Sequence, residues 1–186
     1  YSIFKGLLSI EKLVEKAKSF GMPAIALTDH SNMFGLVKFF KKCEKEGIKP
    51  ISGSTLNITR SSEDRPYEFL CLAKNIDGHK NLMHGLSKAS RNHSKAIVYD
   101  DFLNICNDIF IIIGSENSEI FSLILNDKQD EAVELIEKYK SDFKNNLVIE
   151  IQNIGKESHK IFMASILPIA SRPVSYTHLT LPTNIG

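Results

Sequence analysis

The sequence predicts an α/β fold, a parallel sheet with helices packed outside it. Three observations carry this prediction. Short apolar runs recur at residues 24–28, 48–52, 67–73, 109–113 and 147–151. Segments with apolar residues at helical spacing separate most of them, and Gly, Pro or polar clusters mark the boundaries.

The elements follow in order. Ser9 is a suitable N-cap for a helix over 10–20, with Leu13, Val14, Ala17 and Phe20 on one face and Gly21 as its stop. Pro23 opens the run at 24–28, which reads as a buried strand. Leu36, Val37, Phe39, Phe40 and Cys43 mark a second helix among Lys38, Lys41, Lys42 and Lys45, and Gly47 ends it. Residues 48–52 form the next strand, and the alternating stretch 56–59 extends the sheet. A polar turn at 61–66 leads to a strand at 67–73. Asp77 is expected to cap a helix carrying Leu82, Met83 and Leu86, followed by a polar loop at 91–95. A short helix over 100–106 precedes Ile109-Phe110-Ile111-Ile112-Ile113, the strongest buried-strand signal in the chain. Two helical stretches near 118–125 and 128–143, a strand at 147–151 and a helix over 157–170 complete the pattern, with Pro168 placed to disturb the last helix.

Composition narrows the function classes. At 186 residues the chain suits one domain with a real core. A formal net charge of +1 offers no global electrostatic case for nucleic-acid or membrane binding. No apolar run approaches the roughly 18–20 residues a membrane helix needs. Cys43, Cys71 and Cys106 are far apart and odd in number, so they read as reduced, buried thiols of a cytoplasmic protein.

In a sheet of this kind the site lies at the carboxyl ends of the strands. Asp29-His30, residues 53–55, Gly114-Ser115 and Gln152-Asn153 all fall there. Asp29 and His30 are the residue types that bind metals or move protons. The run from Gly21-Met22-Pro23-Ala24 through Thr28-Asp29-His30-Ser31-Asn32-Met33-Phe34-Gly35 to Gly47-Ile48-Lys49-Pro50-Ile51 resembles the N-terminal PHP (polymerase and histidinol phosphatase) domain of bacterial DNA polymerase III alpha subunits. Leu72-Ala73-Lys74-Asn75, Asn81-Leu82, Leu86-Ser87-Lys88-Ala89 and Glu150-Ile151-Gln152-Asn153 extend the resemblance over residues 1–172.

The resemblance implies a distorted (β/α)7 PHP barrel, here incomplete. A His-x-His strand would precede Tyr1-Ser2, and a closing strand with further Asp and His ligands would follow the segment. Residues 173–186 are expected not to be native structure. Val174-Ser175-Tyr176-Thr177-His178-Leu179-Thr180-Leu181-Pro182-Thr183 is similar to the translation of a transposon mosaic-end sequencing adapter, so Tyr176 and His178 receive no role. The implied function is that of a replicative DNA polymerase, with Mg²⁺ expected in a palm domain outside this segment. Its partners would be DNA through absent domains, other replicase subunits and a docked proofreading exonuclease, with no membrane.

Metal-binding members of this family hold two or three ions at the strand ends. Multi-ion phosphoester hydrolysis needs several ligands per ion and an open position for water. By the resemblance, Lys5 stands where an Asp follows the first strand, Thr55 at a bridging acid, Glu68 at a His, Ser115 at a Cys and Ile154 at a His. His30, with its neighbour Asp29, alone matches. The expectation is a vestigial ligand position at His30, no bound metal or cofactor, no catalytic residue in this segment, and a scaffolding domain. The competing expectation is an active metal-dependent phosphoesterase or nuclease.

Other candidates carry less. His79 and His84 are five apart on a helix and share no face, so with His93 they read as surface imidazoles. Lys38, Lys41, Lys42 and Lys45 with interleaved Glu44 and Glu46 read as a solvated helix face. Thr55, Ser115 and Ser171 have no visible base to activate them.

Overall fold

The computed structural model describes residues 9–61, 64–92 and 95–170. Lys5, His93, Ser171, Tyr176 and His178, and the whole of 173–186, lie outside the described residues. Within them, α1 (Ile10–Ser19), β1 (Ala24–Leu27), α2 (Leu36–Glu46), β2 (Lys49–Thr59), β3 (Tyr67–Ala73), α3 (Ile76–Arg91), β4 (Ile97–Val98), α4 (Tyr99–Leu103), β5 (Ile109–Ile113), α5 (Glu119–Leu125), α6 (Gln129–Phe143), β6 (Leu147–Ile149) and α7 (Glu157–Ala170) follow one another. None of these helices is long and apolar enough to cross a membrane.

Six strands form one mixed sheet in the order β1-β2-β3-β5-β6, with β4 paired to β2. The expected all-parallel arrangement is corrected at β3, which runs antiparallel to both β2 and β5. The β1–β2, β2–β4 and β5–β6 pairs are parallel. The short link between β2 and β3 leaves no room for a crossover helix, so the chain must turn back. Thr55 pairs with Leu70 on one edge of β2 and with His30 on the other. Ile58 likewise pairs with Tyr67 and Ile97, so β1, His30 and β4 share one edge of β2.

The two apolar stretches expected at 48–52 and 56–59 are one strand of 11 residues. Gly53 continues it because a side chain has no space there. A Cβ would come within 2.6 Å of Leu72 Cδ2 and 2.8 Å of the Cys71 carbonyl oxygen. The cap of α3 also differs from expectation. Asn75, in extended conformation, accepts hydrogen bonds from the Asp77 and Gly78 amides, while Asp77 sits in the first turn facing the helix dipole. Ser9 caps α1 as expected, Ser118 caps α5, and α7 runs through Pro168.

Side chains alternate between the faces of a strand, and the two faces of this sheet differ sharply. Leu56, Ile58, Phe69, Cys71, Ile109, Ile111, Ile113, Leu147 and Ile149 are buried in one core with residues of α3 to α7. Phe69 sits at its centre, with ring centroids 5.4 Å from Tyr139 and 5.7 Å from Phe102. Each such side chain contributes roughly 1.5–3 kcal/mol by burial. On the other face Ile51, Thr55, Glu68, Leu70, Leu72, Ile112 and Val148 are only half-buried and Phe110 is exposed. The expectation that 109–113 and 24–28 are wholly buried therefore needs correction. Half of β5 faces outward, and every residue of β1, an edge strand, is half-buried. A second, smaller core of Val14, Ala17, Phe39, Cys43 and Ile48 joins α1 and α2.

Candidate functional site

The site is a rim along one end of the sheet. β1 carries the chain to Asp29 and His30, which continue alongside β2. The Thr55 amide donates to the Asp29 carbonyl at 3.2 Å, and the Ser31 amide donates to the Thr55 carbonyl at 2.9 Å. The buried Ser54 hydroxyl also donates to the Asp29 carbonyl, at 2.9 Å. Asn32 then fixes the turn. Its Nδ2 donates to the His30 carbonyl at 2.9 Å, and its Oδ1 accepts from the Phe34 amide at 3.1 Å. The motif's Asn32 side chain thus bonds the backbone at this strand end.

His30 and Asp29 do different things. The His30 Nδ1 lies 3.6 Å from Glu68 Oε1 on the half-buried face of the sheet. Glu68 reaches it because β3 runs backwards, which puts the first residues of β3 beside the last residues of β1 and β2. Asp29 is buried and its carboxylate lies against Gly35, the N-cap residue of α2. A Cβ at Gly35 would stand 3.1 Å from Asp29 Oδ2. A carboxylate there meets the positive end of the helix dipole.

The rim continues past β5. The Glu68 amide donates to the Asn117 carbonyl at 3.1 Å, tying β3 to the loop that follows Gly114 and Ser115. Glu116 of that loop and Gln152, beyond β6, are joined by His159 of α7. His159 is 2% exposed, with Nδ1 2.9 Å from the Gln152 carbonyl and Nε2 2.7 Å from Glu116 Oε1. Its ring stands 5.3 Å from that of Phe121. Lys156 also pairs with Glu116. Hydrogen bonds from Lys156 and then His159 hold the Glu116 carboxyl below the usual carboxylate range.

The structure therefore brings His30, Thr55 and Glu68 together and places Ser115 and Ile154 at the ends of β5 and β6. Ile154 is 53% exposed. His159 and Glu116 were not among the residues singled out by sequence. The available signal was the spacing of His159 with Phe162, Ile166 and Ile169, which puts a histidine on the apolar stripe of α7.

His79 departs from its expected reading as a plain surface imidazole. It is half-buried, with Nδ1 2.9 Å from the Ser52 hydroxyl, whereas His84 is exposed. On α2, Lys38 pairs with Glu11, and Lys42 pairs with Glu15 and Glu46. These contacts fit a solvated, self-neutralised face. The three thiols are buried and unbridged, and burial pushes all three up from the ordinary thiol range.

A multi-ion centre would need His, Cys, Asp or Glu donors converging at this rim. Among the described residues, no group of three or more of them is arranged to hold a metal ion. His30 and Glu68 form a pair, Asp29 is turned to the head of α2, and Thr55, Ser115 and Ile154 add neither a carboxylate, an imidazole nor a thiol. Among the described residues the rim thus offers one imidazole and one carboxylate side by side, His30 and Glu68.

Comparison with known proteins gives the family. The PHP domain profile matches residues 1–154. The chain is similar to DNA polymerase III subunit alpha of Treponema pallidum, 36% identical over 185 residues, covering 92% of this chain and 16% of that protein. It is 29% identical over 177 residues to the Pseudomonas aeruginosa subunit, covering 92% and 15%, and 31% identical over 176 residues to that of Borreliella burgdorferi, covering 87% and 15%. The chain thus spans about a sixth of the length of the curated relatives it matches. Among solved structures, an amidohydrolase from Chromobacterium violaceum with bound sulfate and no metal superposes with a TM-score of 0.58 at 12% identity, covering 98% of this chain and 86% of that one. The profile match and the similarity of the relatives converge on one assignment: the chain belongs to the PHP domain family.

Proposed function

We propose that this chain is part of the alpha subunit of a bacterial replicative DNA polymerase, and that its PHP domain acts as a metal-free brace. The whole protein would then perform template-directed nucleotidyl transfer in the cytoplasm, with Mg²⁺ held in a palm domain beyond this segment. Its partners would be DNA, through those other domains, and further replicase subunits, with a proofreading exonuclease docked on the PHP portion.

One observation carries the scaffold reading: the rim is built, but from residues that bond to the protein itself. His30 meets Glu68, Asn32 bonds to the chain around His30, and His159 bridges two strand ends. These contacts stiffen the sheet end, whereas a hydrolytic centre would leave donors converging on open space.

The test is twofold. Reading the uninterrupted gene should show a long polymerase frame continuing past residue 172. A frame that stops soon after it would overturn the polymerase assignment. The complete protein, assayed on a phosphodiester with added Mn²⁺ or Zn²⁺, should show no hydrolysis that disappears with His30→Ala. Metal-stimulated hydrolysis lost in that variant would instead establish an active phosphoesterase.

A further inference from the structure

α7 turns one titratable side chain inward. His159 shares the buried stripe of that helix with Phe162, Ile166 and Ile169, and is itself 2% exposed. Both of its ring nitrogens have a partner. Nδ1 is 2.9 Å from the Gln152 carbonyl and Nε2 is 2.7 Å from Glu116 Oε1.

Those partners decide how many protons the ring needs. A carbonyl oxygen and an ionised carboxylate only accept hydrogen bonds, and a neutral imidazole has one N–H to donate. Neutral His159 would therefore set a ring lone pair against one of the two oxygens. The imidazolium, with two N–H groups, satisfies both. Glu116 does not supply the missing proton, because hydrogen bonds from Lys156 and then His159 hold its carboxyl below the usual carboxylate range.

The charges around the ring oppose one another. Glu116, in the loop after β5, favours a cation. Burial, the Lys156 ammonium on the same carboxylate oxygen and the positive end of α7 all oppose it. Phe121 of α5, with its ring 5.3 Å away, brings no charge. The remaining charges nearby are engaged elsewhere: Glu157 with Lys160 on α7, Glu119 of α5 with Arg60, and Glu150 with the Gln152 amide.

We propose that His159 is a proton-dependent clasp, whose imidazolium ties α7 to the loops after β5 and β6 and whose loss of one proton loosens that half of the rim. Those loops carry Ser115 and Ile154. The docked arrangement favours the second proton more than one in which α7 has lifted, because only the docked ring faces two acceptors. Docking is then firm on the acid side of the histidine range, roughly pH 6–8, and weakens as pH rises through it. As pH falls through the lowered Glu116 range, the carboxylate protonates and the clasp is lost from the acid side as well.

The test is hydrogen–deuterium exchange of the complete polypeptide, read by peptide mass spectrometry over residues 157–170 across that pH range. After correction for intrinsic hydroxide catalysis, exchange there should rise about threefold or more with pH, because local opening of α7 becomes easier, while the covered strands keep their protection. His159→Gln, which does not titrate, should exchange equally at both ends of the range. Glu116→Gln removes the favouring carboxylate and should move the rise to lower pH. Lys156→Gln removes the opposing cation and should move it to higher pH, each by about half a unit or more. Glu116 and Lys156 both reach solvent, so these two variants serve where His159→Gln does not fold. No rise in the parent protein, a rise that persists in His159→Gln, or a midpoint that either surface variant leaves in place would overturn the proposal.

Discussion

The two faces of the sheet are built from the same strands yet do different work. On the covered face, β2, β3, β5 and β6 each place their buried residues against helices, and Ile109, Ile111 and Leu56 are 0–1% exposed. On the other face their immediate neighbours, Phe110, Ile112 and Thr55, remain half-buried or exposed. The rim residues His30 and Glu68 belong to the second face. The difference teaches that stability and ancestry are recorded on opposite sides of one sheet. Substitutions on the covered face should therefore test folding, and substitutions on the other face should test function.

The largest contrast is expected between adjacent residues of β5. Ile111→Ala should lower unfolding free energy by about 2–5 kcal/mol in urea denaturation, because it removes fully buried methyl groups and leaves a cavity. Phe110→Ala, next in sequence but exposed, should cost about 1 kcal/mol, mostly from its contact with the Lys74 ammonium. Equal losses would break the comparison of faces.

The two rim histidines come next. His159→Ala should destabilise by roughly 1–3 kcal/mol, since it strips two hydrogen bonds from a buried position and loosens α7 from the ends of β5 and β6. His30→Ala should cost roughly 0–1 kcal/mol, as expected for a partly exposed pair at 3.6 Å. The reverse order would move the structural weight of the rim to His30.

The pH response should also separate buried from surface groups. Tyr99 donates to Asp142 at 2.7 Å and Tyr139 to Glu119 at 3.2 Å, and burial pushes both phenols above their ordinary value of 10.0. The folded state keeps those protons longer than the unfolded state does, so stability should be intact below pH 10 and fall as pH rises past it. Tyr99→Phe should shrink that alkaline loss in thermal melts. The acid limb is weaker. Hydrogen bonds from Lys18 and Lys42 bring Glu46 down to about 2 from 4.5, so its contribution is present above pH 4.5 and is lost as pH falls toward 2. Glu46 is half-buried at the solvent boundary, where screening keeps the effect small, and Glu46→Gln should change the acid limb only slightly.

Much of this architecture is legible in the chain. Ser9, Gly47 and the apolar runs mark most element boundaries to within a residue or two, because caps and periodicity act locally. The direction of β3 is not legible in the same way. Whether two strands run parallel depends on what the intervening link must span, and an apolar run such as 109–113 does not say which of its faces a helix will cover. At the rim, the Asp29-His30 run identified the family and the end of the sheet correctly. The resemblance placed Glu68 at a ligand position of the same site as His30, but local periodicity did not, because their contact follows from the reversal of β3. His159 was hidden because its partners, Glu116 and the Gln152 carbonyl, come from loops 43 and 7 residues away.

We propose a PHP rim that is bonded into a scaffold and holds no metal centre. Its most direct test is the metal content of the complete protein, purified without chelators and measured by inductively coupled plasma mass spectrometry before any Mg²⁺ is added. Less than one equivalent of zinc, manganese and iron together is expected. Two or more tightly bound ions per chain, lost on His30→Ala, would contradict it.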